Sequence, residues 1–197
     1  MANTLSLQQL AEQLEQQTEA PAINQWQPAD CGPLAMRIDH RGQWFYQGEP
    51  IRRKALVKIF SDILRKEGQH YYLVTPVEKF QIQVDDLPFI TQELEVKQDP
   101  ITQQQLLVLT LNHGLSVTLS QAQPLIFAPN AEGDLLPAVY VQRQLLARLH
   151  RNHYYQLAEL AEPADSNAAQ DSEQWGVWSS GQFFPLMPAD PSANFNL

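Results

Sequence analysis

The sequence predicts an α+β fold of two similar units, each an antiparallel sheet covered by one helix, with a further helix at the N-terminus. Strand-like segments outnumber helical ones by about three to one and follow one another as hairpins do. The tripeptide His-Tyr-Tyr occurs at 70–72 and again at 153–155, each time after an amphipathic segment and a short basic link. This repeated order predicts an internal duplication.

Composition restricts the class of protein. The chain of 197 residues is 44% hydrophobic and 18% charged, which is typical of a globular protein. Its formal charge of −9 argues against nucleic-acid binding, and no apolar run approaches the ~18 residues that span a bilayer. With one cysteine and no visible signal peptide, we expect a cytoplasmic protein.

Residues 1–30 are predicted to form an N-terminal helix and a connector. Ser6 and Gln9 have the spacing of a capping box, and an apolar stripe follows over residues 4–17. The proline- and glycine-containing stretch 18–33 reads as extended chain.

The first α+β repeat is assigned to residues 31–84. Alternation around Met36 predicts one strand, residues 43–47 a second, and 70–74 and 79–84 two more. Between them, apolar residues at i, i+3 and i+4 spacing predict a helix over 51–66. Gly68 is its expected C-cap, and Arg65 and Lys66 suit the helix dipole in its last turn.

The second repeat is assigned to residues 85–197. Strands are predicted at 89–96, 105–111, 115–119 and 124–127. A helix over 138–150 is predicted from Val141, Leu145 and Leu149, and a strand over 153–158 follows it. Residues 162–174 lack periodicity and read as a flexible loop, whereas the aromatic segment 175–187 is expected to return to the fold and bury itself.

The sequence contains no recognisable catalytic, metal or cofactor site. Cys31 has no His tied to it by a motif, Ser179 and Ser180 lack a nucleophile elbow, and the five histidines lack zinc spacing. No phosphate-binding glycine loop is present. We therefore predict no catalytic residues, no metal and no cofactor.

Basic residues are concentrated in one stretch of this acidic chain. Eight of the 13 lie between Arg37 and Lys66, against three acids. Arg52, Arg53 and Lys54 oppose the dipole at the predicted helix start, which an anionic ligand would offset. The alternative is a solvated helix face. Glu78 and Lys79 likewise read either as a carboxylate and an ammonium presented to a ligand or as a surface ion pair.

Several segments resemble a bacterial family of unknown function, numbered 1285 among domains of unknown function. The most specific is Leu73-Val74-Thr75-Pro76-Val77-Glu78-Lys79, and the resemblance spans about residues 31–187. The other similar segments are Cys31-Gly32-Pro33-Leu34, Trp44-Phe45-Tyr46, Arg53-Lys54, Asp86 with Pro88-Phe89, Tyr154-Tyr155 with Leu157, and Gly176-Val177-Trp178-Ser179.

The resemblance implies a duplicated core whose second half is superficially like pleckstrin-homology folds. It also implies a nucleotide-like ligand between the halves and a role in signal transduction. The resemblance then implies that Arg53 and Lys54 bind phosphate and that Thr75 and Glu78 bind ribose or base, with Lys79 also in the site. From the second half, Asn112 and Arg143 would face them and Trp178 would close the site by stacking.

The leading hypothesis is a non-catalytic protein that senses a nucleotide-like small molecule. The alternative is a protein–protein interaction module that uses the basic stretch and the N-terminal helix. An enzyme acting on a nucleotide-like substrate is the third hypothesis.

Overall fold

The computed structural model describes residues 23–164 and 174–188 and divides the chain into two units, Met1–Asp85 and Asp86–Leu197. The predicted N-terminal helix lies outside the described residues, as does most of the predicted loop 162–174. The described residues contain no helix long and apolar enough to cross a membrane.

The first unit is a six-stranded sheet with one described α-helix. Its elements are a 3₁₀ turn (Ile23–Gln25), β1 (Ala29–Ile38), β2 (Trp44–Tyr46), β3 (Glu49–Pro50), α1 (Lys54–Asp62), β4 (Leu64–Glu67), β5 (His70–Val74) and β6 (Glu78–Val84). The strand order is β3-β2-β1-β6-β5-β4. Neighbours are antiparallel except β1 and β6, which run parallel.

The second unit has a six-stranded sheet, one described α-helix and a small third sheet. Its elements are β7 (Phe89–Gln98), β8 (Gln105–Leu111), β9 (Ser116–Thr118), β10 (Leu125–Pro129), β11 (Leu135–Gln142), β12 (Leu145–Arg148), α2 (Arg151–Glu159), β13 (Glu162–Pro163), β14 (Trp175–Ser179) and β15 (Gln182–Pro185). The large sheet has the order β10-β11-β12-β7-β8-β9, with β12 parallel to β7.

The two large sheets share one topology. In each, the first three strands form a meander outward from the centre, and the last three return so that the sixth strand lies parallel to the first. The helix differs in position, because α1 lies between the third and fourth strands whereas α2 follows the sixth. The predicted α+β class with duplicated units is therefore confirmed. A sheet followed by a helix is compatible with the pleckstrin-homology-like fold expected for the second unit.

The core of the first unit lies between one face of the sheet and α1. Met36 and Ile38 of β1 are buried while Arg37 between them is exposed, as the alternation predicts. Trp44 stacks on Phe60 of α1, with ring centroids 6.0 Å apart. The opposite face of this sheet carries mostly polar side chains.

The predicted helix over 51–66 is too long at both ends. It begins at Lys54 and ends at Asp62, and the next residues form β4, which pairs antiparallel with β5. Gly68 lies in the hairpin turn with φ of +58° rather than at a helix C-cap. Arg65 and Lys66 are thus strand residues. Pairing with β5 satisfies the backbone hydrogen-bonding groups of these residues in place of another helical turn, so tertiary pairing overrides local helix propensity.

The predicted helix over 138–150 is wrong, because these residues form the hairpin β11–β12 and its continuation. Apolar residues four apart, as at Val141, Leu145 and Leu149, lie on one face of a strand as well as on one face of a helix. The turn between the two strands contains neither Gly nor Asn, so nothing in the sequence indicated a hairpin there. The predicted strand over 153–158 is wrong as well. Those residues lie in α2, which His150 caps by accepting a hydrogen bond from the Asn152 amide.

The His-Tyr-Tyr repeat is therefore not a structural repeat. It lies in strand β5 in the first unit and in helix α2 in the second. The duplication is carried by the strand order of the sheets.

The aromatic segment 175–187 returns to the fold as predicted. It forms the hairpin β14–β15, in which Val177, Phe184 and Leu186 are buried. The Ser179 hydroxyl donates to the Leu119 carbonyl at 2.7 Å and accepts from the Leu107 amide at 2.9 Å. These bonds fix the hairpin to the β8–β9 part of the large sheet.

Candidate functional site

The start of α1 combines positive side chains with the positive end of the helix dipole. Arg53 is the N-cap residue and makes no side-chain cap hydrogen bond, and the first turn contains no acidic residue. Arg52, Arg53 and Lys54 are all exposed. A helix start normally favours Ser, Thr, Asp or Asn at the cap and acids in the first turn. Here the local charge suits an anion instead.

The Thr75–Glu78 turn, which contains a predicted ligand contact, is closed by its own hydrogen bonds. The Thr75 hydroxyl donates to the Glu78 carbonyl at 2.9 Å and accepts from the Glu78 amide at 3.0 Å. The Thr75 amide also donates to the Glu78 carbonyl, at 2.8 Å. Thr75 is buried, so its hydroxyl positions the turn.

Glu78 and Lys79 are consecutive strand residues, so their side chains point to opposite faces of the sheet. Lys79 donates to Glu67 Oε2 at 2.6 Å and lies 4.7 Å from the centroid of the Tyr72 ring. Glu78 Oε2 is buried without a hydrogen-bond partner in the described part of the chain. Lys79 is therefore paired with Glu67 rather than with Glu78.

Arg65 completes a charged cluster with Glu67 and Lys79. Its Nη1 donates to the Ile23 carbonyl at 3.1 Å and the Trp26 carbonyl at 2.9 Å, and its Nη2 donates to Glu67. Burial opposes ionisation of Glu67, but hydrogen bonds from Lys79 and Arg65 outweigh it and lower the pKa of this carboxyl. The hydrogen bond to Glu67 likewise raises the pKa of Lys79. The cluster holds the 3₁₀ turn and the segment after it on the sheet.

Arg65 and Glu67 were missed as cluster members because the sequence placed Arg65 at the end of a helix. The eight basic residues of the stretch accordingly do not form one patch. Arg37 pairs with Asp85, Lys58 with Asp62 and Arg65 with Glu67.

The predicted residues of the second unit lie on three different elements. Asn112 follows β8. Its side-chain Oδ1 accepts a hydrogen bond from the Ile90 backbone amide at 3.4 Å, and its backbone amide donates to the Ile90 carbonyl at 3.0 Å. Arg143 is the first of two turn residues between β11 and β12, with φ of +51°. Gln144, the second, has φ of +60°, and its amide donates to the Tyr140 hydroxyl at 3.3 Å.

Trp178 on β14 lines a cavity of about 460 Å³ whose wall carries two carboxylates. Its ring meets Phe183 edge-on at 5.4 Å, and its carbonyl accepts from Gln105 Nε2 at 2.7 Å. Glu159 and Glu162 line the same cavity. Within this unit, the surroundings of Trp178 therefore favour a cation over a phosphate.

Two polar arrangements in the second unit escaped the sequence analysis. The Thr91 hydroxyl accepts from the His150 amide at 2.8 Å and is hydrogen-bonded to Nδ1 of His153 at 2.7 Å, which anchors the start of α2 on β7. Burial, together with the neighbouring His150, lowers the pKa of His153. The other arrangement is a buried Arg148–Asp86 pair. Of these residues, the sequence analysis had singled out His153, in the His-Tyr-Tyr repeat, and Asp86, in a segment of the family resemblance.

The described residues hold no group of three or more His, Cys, Asp or Glu side chains that could bind a metal ion. Cys31 is exposed.

Comparison with known families gives two adjoining matches. A model of the DUF1285 N-terminal domain, described as a domain of unknown function, matches residues 21–87, and a model of the DUF1285 C-terminal domain, described as a protein of unknown function, matches residues 88–186. Among curated proteins no match was found.

Two solved structures are similar to the chain. The crystal structure of a DUF1285 family protein from Silicibacter pomeroyi DSS-3 is 38% identical, with a TM-score of 0.78 over 93% of this chain and 95% of that one. A DUF1285 family protein from Shewanella baltica OS155 is 24% identical, with a TM-score of 0.47 over 64% of this chain and 91% of that one.

Proposed function

This chain belongs to the DUF1285 family, and we propose that it is a cytoplasmic, non-catalytic ligand-binding protein that senses a nucleotide-like small molecule in signal transduction. The observation that carries this proposal is the start of α1, where Arg53 is the N-cap residue, its side chain makes no cap hydrogen bond to the helix, and no acid follows in the first turn. A phosphate group there would gain both the helix amides and the cationic side chains.

The cost of this arrangement without an anion supports the same assignment. Cations at a helix start are unfavourable by a few tenths of a kcal/mol up to about 1 kcal/mol each, depending on screening. Arg53 and Lys54 both stand there and both are exposed. In the proposed complex they would bind the phosphate.

Two of the predicted ligand contacts, Thr75 and Lys79, already have hydrogen-bond partners within the first unit. The Thr75 hydroxyl already has two partners in its turn, so it would position neighbouring groups rather than bind directly. Lys79 already binds Glu67. The proposal depends on Arg53 and Lys54 because they stand at the helix start, where the phosphate would be bound.

A thermal-shift screen against nucleotides, dinucleotides and cyclic dinucleotides tests the proposal. Ligand at a hundred times its dissociation constant adds about 2.7 kcal/mol to the free energy of unfolding, which is several degrees for a chain of this size. We expect the shift to disappear in Arg53→Ala. Arg41→Ala, an exposed arginine in the β1–β2 turn, is the matched control and should keep it. No shift from any nucleotide would contradict the proposal.

A further inference from the structure

We propose that the polar face of the first unit's sheet carries a second binding site, a groove for an uncharged polyhydroxylated ligand such as a mono- or disaccharide. The groove has a volume of about 780 Å³, within the range of about 300–1,000 Å³ that small-molecule sites occupy. It is built from β1, β2, β5 and β6, and the anion proposed at the start of α1 plays no part in it.

The groove exists because the central strand β1 is irregular and carries small side chains. The parallel pairing of β1 with β6 shifts register on both sides of Pro33, which has no amide hydrogen to donate. Ala35, also exposed, lines the groove on the same strand. Larger side chains stand to either side, Phe45 and Gln47 from the β2 edge and Gln81 from β6. Small residues between large ones leave a channel along β1.

The charge of the groove is internally compensated. Arg37 donates from Nε to both carboxylate oxygens of Asp85, at 2.9 and 3.0 Å, and from Nη2 to the same carboxylate. Its guanidinium lies 6.0 Å from the centroid of the Phe45 ring. Because the cation is already paired with a carboxylate, this face offers less attraction to a phosphate than the start of α1 does.

Side-chain amides provide the remaining polar groups. Gln47, Gln69, Gln81 and Gln83 all line the groove. Each amide offers two donors and an acceptor oxygen, so it can bind a hydroxyl in either direction, whereas a phosphate oxygen only accepts. Phe45, half-buried, supplies an apolar surface for the carbon face of a sugar ring.

Three of the amides already have a hydrogen bond, and that of Gln47 runs from its Nε2 to the Tyr46 hydroxyl at 3.3 Å. Gln81 Nε2 is hydrogen-bonded to Nδ1 of His70 at 3.1 Å, and Gln83 Nε2 donates to Asp85 Oδ1 at 3.0 Å. Each of these bonds fixes an amide and leaves its oxygen able to accept from a hydroxyl. Fixed polar groups lose less entropy on binding, which favours recognition of a polyol.

The test is an NMR titration of the full ¹⁵N-labelled chain with glucose, N-acetylglucosamine, maltose and trehalose, which follows the glutamine side-chain amides. We expect at least one sugar to shift the Gln81 and Gln83 signals saturably. Gln81→Ala should weaken that sugar about tenfold or more, since one hydrogen bond is lost and its partner left unpaired. Ala35→Trp should abolish binding by filling the channel from its exposed face. Gln121→Ala, exposed in the second unit, is the control and should bind as the unmodified chain does.

Two results would overturn this assignment. One is the absence of a saturable shift with every sugar at millimolar concentration, in a protein whose spectrum shows it to be folded. The other is a shift that persists in Ala35→Trp or that uridine monophosphate produces and the sugars do not. Because Arg53→Ala leaves the groove intact, sugar binding and nucleotide binding can fail separately.

Discussion

Arg148 and Asp86 form a two-point salt bridge in the second unit, with Nε–Oδ2 at 2.9 Å and Nη2–Oδ1 at 2.6 Å. The guanidinium also donates to the carbonyls of Ala128 and Leu136 at 2.9 Å and of Pro129 at 3.2 Å. All five N–H groups of Arg148 are thus satisfied. The pair connects β12 to β10, β11 and the segment before β7.

Breaking this pair should destabilise the protein strongly. Arg148→Met leaves a largely buried carboxylate and three carbonyls without their donor, for which we expect a loss of about 3 kcal/mol in the free energy of unfolding. Chemical denaturation followed by tryptophan fluorescence measures it.

Asp85 and Asp86 provide a matched comparison, since both bind an arginine by two points. The Arg37 side chain is 49% exposed, whereas that of Arg148 is 9% exposed. Asp86→Asn should therefore lower stability severalfold more than Asp85→Asn. If both variants lost the same free energy of unfolding, burial would not explain the contribution of the Arg148–Asp86 pair to stability.

His153 should make stability depend on pH near neutrality. Burial lowers its pKa in the folded state, so below about pH 6.5 the unfolded chain takes up a proton that the folded chain resists. Its contribution is fully present above about pH 6.5 and is lost as pH falls toward the lower folded-state pKa. The free energy of unfolding should therefore fall as the pH is lowered from about 7.5 to about 5.5, and this fall should be smaller in His153→Asn. Asparagine is chosen because its side-chain oxygen can still accept a hydrogen bond from the Thr91 hydroxyl.

The Arg143–Gln144 turn stores backbone strain. Both residues have positive φ, and neither is Gly or Asn. Gln144→Gly should stabilise the protein by up to about 1 kcal/mol, because glycine adopts this conformation without a Cβ clash. Gln98→Gly in strand β7 should have the opposite sign. Thermal unfolding of the two variants measures both effects. A Gln144→Gly variant less stable than the unmodified protein would show that this turn is not strained.

Ser179→Ala tests how the β14–β15 hairpin is fixed. The substitution removes a buried hydroxyl that binds both the Leu107 amide and the Leu119 carbonyl, so we expect a loss of about 2 kcal/mol. Ser180→Ala removes one bond to the same carbonyl at a half-buried position and should cost less. The Leu107 amide should exchange its hydrogen faster in Ser179→Ala than in Ser180→Ala, because only Ser179 binds it. A general loss of stability would instead speed exchange at many amides.

Strands such as β1 were predictable because their signal is local, whereas β4, β11 and β12 fall wholly or partly in segments that were expected to be helical. Alternation at Met36 and Ile38, and the turn sequences between strands, need no knowledge of partners. The shared topology of the two sheets was not predictable in the same way. It rests on the parallel pairs β1–β6 and β7–β12, which join residues far apart in sequence.

The second unit's helix was predicted in the wrong place because local apolar spacing does not distinguish a helix from a pair of strands. The spacing of Val141, Leu145 and Leu149 satisfies both a helix and a pair of strands, and only pairing with the rest of the sheet decides between them. His150, in turn, caps α2 with an imidazole nitrogen, which is not among the usual capping groups. The shared His-Tyr-Tyr tripeptide then gave the wrong alignment of the two units.

The candidate site was predictable only in part. Arg53 and Lys54 stand out in the sequence because a helix start disfavours cations, and the structure places them at that start. The partner of Lys79 was hidden because Glu67, together with the Arg65 bound to it, approaches Lys79 only when β4 pairs with β5 and β5 pairs with β6. Near Trp178, Glu159 was hidden because α2 was expected to be a strand, and Glu162 because residues 162–174 were expected to be a flexible loop.

The most direct test of the proposed function compares one nucleotide with its own nucleoside by isothermal titration calorimetry. The nucleotide that gives the largest thermal shift is titrated into the unmodified protein, Arg53→Ala and Arg41→Ala, followed by the nucleoside that lacks its phosphates. An anion site at the start of α1 predicts about tenfold or more weaker binding of the nucleoside, and the same weak affinity for the nucleotide in Arg53→Ala. Equal affinities for nucleotide and nucleoside, or an unchanged affinity in Arg53→Ala, would contradict it.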